Sequence, residues 1–98
     1  MIRLSVFYPA SDGKEFDYDY YRDSHVPLCL RTWGIEGSSN AYEVDRGVDG
    51  PFVAAFHIRF ESRQALNAAL AAPGNSLVDS DVVNYTSISP IAQISEVQ

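Results

Sequence analysis

Residues 16–28 read F-D-Y-D-Y-Y-R-D-S-H-V-P-L and gather three tyrosines, three aspartates, one arginine and one histidine into thirteen positions. Imidazole, phenol and carboxylate are side chains that move protons or hold a polar ligand near neutral pH. His25 is the leading candidate for general base, general acid or anion anchor. At helical spacing Asp17, Tyr21 and His25 fall at i, i+4 and i+8 and share one face. Tyr21, one turn before the histidine, is placed to donate to a substrate oxygen or to orient the imidazole. The candidate catalytic pair is therefore His25 and Tyr21.

Pro27 shapes this run. It disfavours helical geometry at Val26 and lacks the N–H of an ordinary helical residue. The sequence predicts about two turns of helix, a break at Val26, and a second segment through Trp33 that stops at Gly34. His25 then stands beside carbonyls freed by the break, where the helix dipole favours imidazolium and brings its pKa near working pH. The same position suits a structural role, in which the imidazole satisfies those carbonyls. Trp33 is expected to pack the second segment on a sheet and to wall an aromatic pocket. Tyr85, after Asn84, stands where a loop could close a pocket mouth. With Asp17, these two are the candidate substrate contacts. Tyr18 and Tyr20 leave the His25 face and read as packing or surface residues.

The elements that must hold these residues are legible from periodicity. Ile2–Tyr8 alternates and reads as a strand with one apolar face. Residues 35–47 form a weak, polar strand. Phe52–Phe60 is the clearest strand, with Phe52, Ala54, Phe56, Ile58 and Phe60 on one side. Ser62 caps a helix whose apolar face is Ala65, Leu66, Ala69 and Leu70. Ser76 with Asp79 three residues on marks a short helical turn to Val83. Thr86–Val97 is a last strand containing Pro90, which confines it to an edge or a bulge. The order β-α-β-β-α-β, with the two clean apolar strands central, gives an α+β, ferredoxin-like antiparallel sheet of order 4-1-3-2. Its helices cover one face. The other face carries Arg3, Ser5, Phe7, Val53, Ala55, His57 and Arg59, and a second copy of the chain is the simplest cover.

Composition narrows the function classes. Ninety-eight residues, 46% hydrophobic, make one domain with a real core. A net charge of -6 repels phosphate backbones and anionic lipid, so neither nucleic acid nor membrane is an expected partner. No apolar run approaches the ~20 residues of a membrane span, and the N-terminus lacks a signal-peptide layout. The single cysteine, Cys29, lies in an apolar run and suits a reducing cytoplasm. Zinc-ligand spacing, a GxGxxG turn, a phosphate loop and a GxSxG elbow are all absent from the sequence, so neither metal nor cofactor is expected.

The run at 16–28, the Trp33-Gly34 pair, G-V-D-G-P-F-V-A-A-F-H and N-Y-T-S-I-S-P-I-A-Q-I-S-E together resemble the EthD family, with Tyr20-Tyr21 through His25, Pro27 and Leu28 as the most specific part. The resemblance spans nearly the whole chain. It implies a homodimeric α+β barrel, a pocket between sheet and helices near the histidine, and a loose link to degradation of ethers and other small xenobiotics. Related barrels include cofactor-free monooxygenases and lactone isomerases. Two functions follow as expectations. One is a cofactor-independent oxidoreductase or isomerase acting on a small aromatic, lactone or ether-derived molecule by His-assisted proton transfer. The other is a non-catalytic ligand-binding or accessory protein of a degradation pathway.

Overall fold

The computed structural model of the chain describes residues 1–36 and 42–98. Strands β1 (Ile2–Pro9), β2 (Tyr42–Arg46), β3 (Phe52–Phe60) and β4 (Ile91–Glu96) form one antiparallel sheet in the order β2-β3-β1-β4. This is the expected 4-1-3-2 order, and the chain is α+β. The two strands with unbroken apolar alternation are central because a central strand buries one face along its whole length. Their register sets Leu4 opposite Ile58 and Val6 opposite Phe56, so the apolar sets meet on the helix side. The 37–41 part of the expected polar strand lies outside the described residues.

The last strand is shorter than expected. β4 begins at Ile91, directly after Pro90. Proline has no N–H for the ladder, so pairing starts beyond it. Thr86, expected at the head of that strand, instead bridges Phe16, and its hydroxyl donates to the Glu15 carbonyl at 2.7 Å. Residues 86–90 therefore tie down the loop that leads into the first helix.

That helix carries the main correction. It starts as α1 (Tyr18–Tyr20), passes through a π turn (Tyr21–His25) and continues as α2 (Val26–Thr32). The expected break at Val26 does not occur, and Val26 has helical angles of -60° and -47°. Its amide donates to the Tyr21 carbonyl, one residue farther back than in an α-helix. Pro27 then falls in the first turn of α2, where a missing N–H breaks no bond and the preset φ fits. The widened turn does what a kink would have done. Asp17 caps the start as expected, accepting from the Tyr20 amide at 3.0 Å. Gly34 ends α2 with φ 70°, and the Ile35 amide reaches back to the Leu30 carbonyl at 2.9 Å.

α3 (Arg63–Leu70) is capped by Ser62 as expected, and it buries Leu66 and Ala69. Leu70 is 48% exposed, so the buried stripe is narrower than the sequence implied. α4 (Asn75–Asp81) starts before Ser76, with Gly74 at its cap and no side-chain cap bond. Asn75 instead donates to the Ala69 and Leu70 carbonyls at 2.9 and 3.0 Å, closing the end of α3. A 3-10 turn (Val82–Asn84) follows. The core lies between sheet and helices, built on Leu4, Tyr8, Phe56, Ile58, Tyr21, Val26, Leu66 and Tyr85. On the opposite face Ser5 bonds His57 at 2.7 Å, His57 lies 3.3 Å from Asp45, and Arg59 donates to Glu43 at 2.7 Å.

Gly47 holds the β2–β3 turn. Its amide donates to the Val53 carbonyl at 2.8 Å, and an added Cβ would run into the Phe52 carbonyl. Gly47→Ala is expected to destabilise the fold by about 1–3 kcal/mol, as forced overpacking does. Urea unfolding measures this; an unchanged midpoint would mean that the turn relaxes freely.

Candidate functional site

The π turn has a consequence for side chains. Each residue in it advances less around the axis than in an α-helix, so Tyr20 and His25 swing toward a common neighbour. That neighbour is Asp81, at the end of α4. Its Oδ1 accepts from the Tyr20 hydroxyl at 2.6 Å and the Asn84 amide at 3.0 Å, and its Oδ2 faces His25 Nδ1 at 2.9 Å. The imidazole is 4% exposed and the carboxylate 14%. Burial raises the Asp81 pKa, but the bonds from Tyr20, Asn84 and His25 outweigh it and hold the group below the usual carboxylate range. Asp81 is therefore ionised at neutral pH and can only accept. Nδ1 of His25 must carry the proton, and Nε2 keeps its lone pair.

Burial also pushes the His25 pKa below its ordinary 6.5, with Asp81 opposing. The sequence pointed to a histidine charged by freed helix carbonyls. The structure has no helix break, and the imidazole bonds a carboxylate instead. The result is a neutral imidazole of fixed tautomer, with a carboxylate behind it to stabilise the imidazolium once a proton arrives. That is the arrangement of a general base.

Aromatic rings surround it. Tyr21 stacks on His25 with centroids 5.6 Å apart and planes at 17°. Tyr85 lies 4.6 Å from the imidazole and 5.0 Å from Tyr21. The Tyr8 and Tyr85 hydroxyls bond each other at 2.7 Å. The Tyr21 hydroxyl is buried and interacts with the Tyr8 hydroxyl, without a well-formed hydrogen bond among the described residues. Burial raises the pKa of all three phenols, so they stay neutral donors. Burial pushes the Cys29 thiol up to about 12, which leaves it a small apolar filler.

Two concavities flank this cluster. An open cleft of about 970 Å³ runs between the 13–17 loop and residues 83–87, with Phe16, Asp17, Asn84 and Tyr85 in its wall. A smaller one of about 180 Å³ lies between the first helix and β2, walled by Tyr18, Tyr21, Arg22 and residues 44–46. Arg46 lies over the Tyr18 ring at 4.1 Å. Tyr85 thus separates the larger cleft from His25, and Tyr21 separates the smaller one.

The structure groups the five expected residues differently from the sequence. His25, Tyr21 and Tyr85 come together. Asp17 joins Tyr85 through its backbone amide, which donates to the Tyr85 carbonyl at 2.8 Å, and it stands at the cleft rather than beside the imidazole. Trp33 lines neither cavity. Its indole N–H donates to Asn75 at 2.6 Å and its ring stacks on Phe56, so it fastens α2 to α4. Asp81 and Tyr8 escaped the sequence reading because nothing in the chain's spacing links them to residue 25, whereas Asn84, read with Tyr85 at a pocket mouth, lies in the cleft wall and also bonds Asp81. Tyr20 escaped it because its orientation depends on the π turn. Among the described residues no three His, Cys, Asp or Glu side chains gather as a metal site, and no helix is long and apolar enough to cross a membrane.

No family model and no curated protein matches the chain. Solved structures do. An EthD-like protein from Ralstonia eutropha JMP134 is 35% identical, with a TM-score of 0.84 over 98% of this chain and 90% of that one. An ethyl tert-butyl ether D (EthD) family protein from Bacillus halodurans C-125 is 17% identical, with a TM-score of 0.73 over 100% and 99%. A cofactor-independent oxygenase from Streptomyces nogalater shares the fold at 10% identity, with a TM-score of 0.68 over 99% and 91%.

Both members of the His25–Asp81 pair have pKa values below their unfolded ones, so both add stability that acid removes. The His25 share is complete above its ordinary 6.5 and is lost as pH falls through the depressed folded value. The Asp81 share is complete above its ordinary 3.8 and is lost at lower pH still. Denaturant unfolding from pH 7.5 to 4 should show falling stability, and Asp81→Asn should cost about 1–3 kcal/mol at pH 7. A flat profile in the wild type would contradict the burial of a neutral His25.

Proposed function

This chain belongs to the EthD-like family, and we propose that it is a cofactor-independent catalyst of proton transfer, of isomerase or oxidoreductase type. Its substrate is a small aromatic, lactone or ether-derived molecule. The observation that carries this reading is the buried His25 imidazole, bonded through Nδ1 to Asp81 at 2.9 Å, beside the rings of Tyr21 and Tyr85. His25 Nε2 acts as base, and Asp81 stabilises the imidazolium. Tyr85 forms the gate between cleft and imidazole, with Asp17 at the cleft wall. Trp33 supports the site from outside it, by holding α2 against α4. Such chemistry needs a shaped, dry site and proton handling, which this chain's own residues supply.

A second reading is a non-catalytic ligand-binding or accessory protein. Tyr21 and His25 favour it, being 1% and 3% exposed, because groups so enclosed also serve as plain core. The two readings separate on turnover. His25→Asn keeps a hydrogen-bond donor for Asp81 and removes the base, so kcat/KM should fall by about 10²–10⁴-fold with little change in melting. Full-rate turnover by this variant on an identified substrate would exclude proton transfer by His25.

We propose that the chain works as a homodimer closed sheet against sheet. Phe7, Val53 and His57 on the open face are half-buried in one chain, and Ile91 on β4 is 55% exposed. A second copy would cover both the face and the β4 edge. The lone buried thiol suits a reducing cytoplasm. Sedimentation at micromolar concentration should give twice the chain mass, and a monomer would overturn the assembly.

A further inference from the structure

The smaller cavity, of about 180 Å³ between the first helix and β2, plays no part in the chemistry assigned to His25, which does not line it. Side chains alternate along β2, so Val44 and Arg46 share the helix side of the sheet, opposite Phe56 and Ala54 of β3. Val44, Tyr18 and Tyr21 give the cavity an apolar wall, and Asp19, Arg22, Asp45 and Arg46 join them. Three of these charges already have partners. Arg22 donates to Asp23 at 2.8 Å and to Asp19 at 3.3 Å. Asp45 turns to the open face, 3.3 Å from His57. Arg46 differs, since among the described residues no carboxylate pairs with its guanidinium. We propose that this cavity binds a small apolar monocarboxylate, with Arg46 as the group that holds its carboxyl oxygens.

Arg46 is held ready for that role. Its guanidinium carbon lies 4.1 Å from the centre of the Tyr18 ring, and the Tyr18 hydroxyl is itself fixed by donation to the Val53 carbonyl at 3.0 Å. Stacking on a ring uses the face of a guanidinium and leaves the N–H fork at its edge free. A carboxylate matches that fork with two parallel bonds. Charge sets the class of the ligand. One unpaired cation neutralises one negative charge, and the chain's net charge of -6 opposes a second, so a monoanion is favoured over a phosphate dianion. The two tyrosine rings and Val44 suit an apolar body, and the volume limits it to about the size of one ring. The site is separate from the cleft at Tyr85, and it stands whether or not His25 transfers protons.

The probe is benzoate, with benzamide as its uncharged counterpart, each titrated at neutral pH and low ionic strength into isotope-labelled protein and followed by amide NMR. Benzoate should saturate with a Kd of about 1 mM. The amide shifts should centre on residues 18–22 and 44–46, which wall the cavity. Benzamide should bind at least about tenfold more weakly, because it lacks the charge that Arg46 meets. Arg46→Met keeps an apolar stem beside Tyr18 and removes the charge. It should weaken benzoate at least about tenfold and leave benzamide unchanged, which shows that the cavity is still formed. Arg46→Lys keeps a charge without the fork and should fall between the two. The inference is overturned if benzoate does not saturate at millimolar concentration, if its shifts centre on residues 13–17 and 83–87 or on the open sheet face, if benzamide binds equally well, or if Arg46→Met binds benzoate as tightly as wild type.

Discussion

The contact between Asp81 and His25 ties the two halves of the helical layer together. It bonds residues 56 positions apart, at the end of α4 and at the last residue of the π turn. Tyr20 and Asn84 converge on the same carboxylate, so one side chain organises the first helix, the 3-10 turn and the approach to β4. A carboxylate 14% exposed would be unfavourable alone. With three donors it is held ionised, and a held carboxylate fixes the tautomer of its histidine.

The helical irregularity and this contact depend on each other. Proline at 27 does not interrupt the helix, because the π turn hands it a first-turn position where its missing N–H breaks no bond. The same turn rotates Tyr20 and His25 toward α4. Single π turns inside α-helices recur at functional sites for this reason: one extra residue re-aims a side chain without breaking the rod. Asn75 plays a comparable double role, closing α3 and anchoring the Trp33 indole, and so fixes α4 where Asp81 can reach.

The aromatic cluster is centred on Tyr21. Its ring packs at the centre of the aromatic cluster, against Tyr8, Phe16, Phe56 and Tyr85. Its hydroxyl, near that of Tyr8, makes no well-formed bond among the described residues. The ring therefore belongs to the fold.

The sequence by itself determined the sheet. Alternation in Ile2–Tyr8 and Phe52–Phe60 sets which strands are central, because a two-residue period is local and burial follows from it. It also determined the caps at Asp17 and Ser62 and the stop at Gly34, each a contact within a few residues. It singled out His25, Tyr21, Asp17 and Tyr85 by residue type. Tertiary structure alone decided what those residues face. The phase of His25 depended on how the backbone absorbed Pro27, and two solutions, a kink or a π turn, satisfy the same local rule. Its partner Asp81 came from a helix whose position is set by packing across the core. Local sequence encodes periodicity and capping, whereas a carboxylate meets an imidazole only once the layers between them have packed.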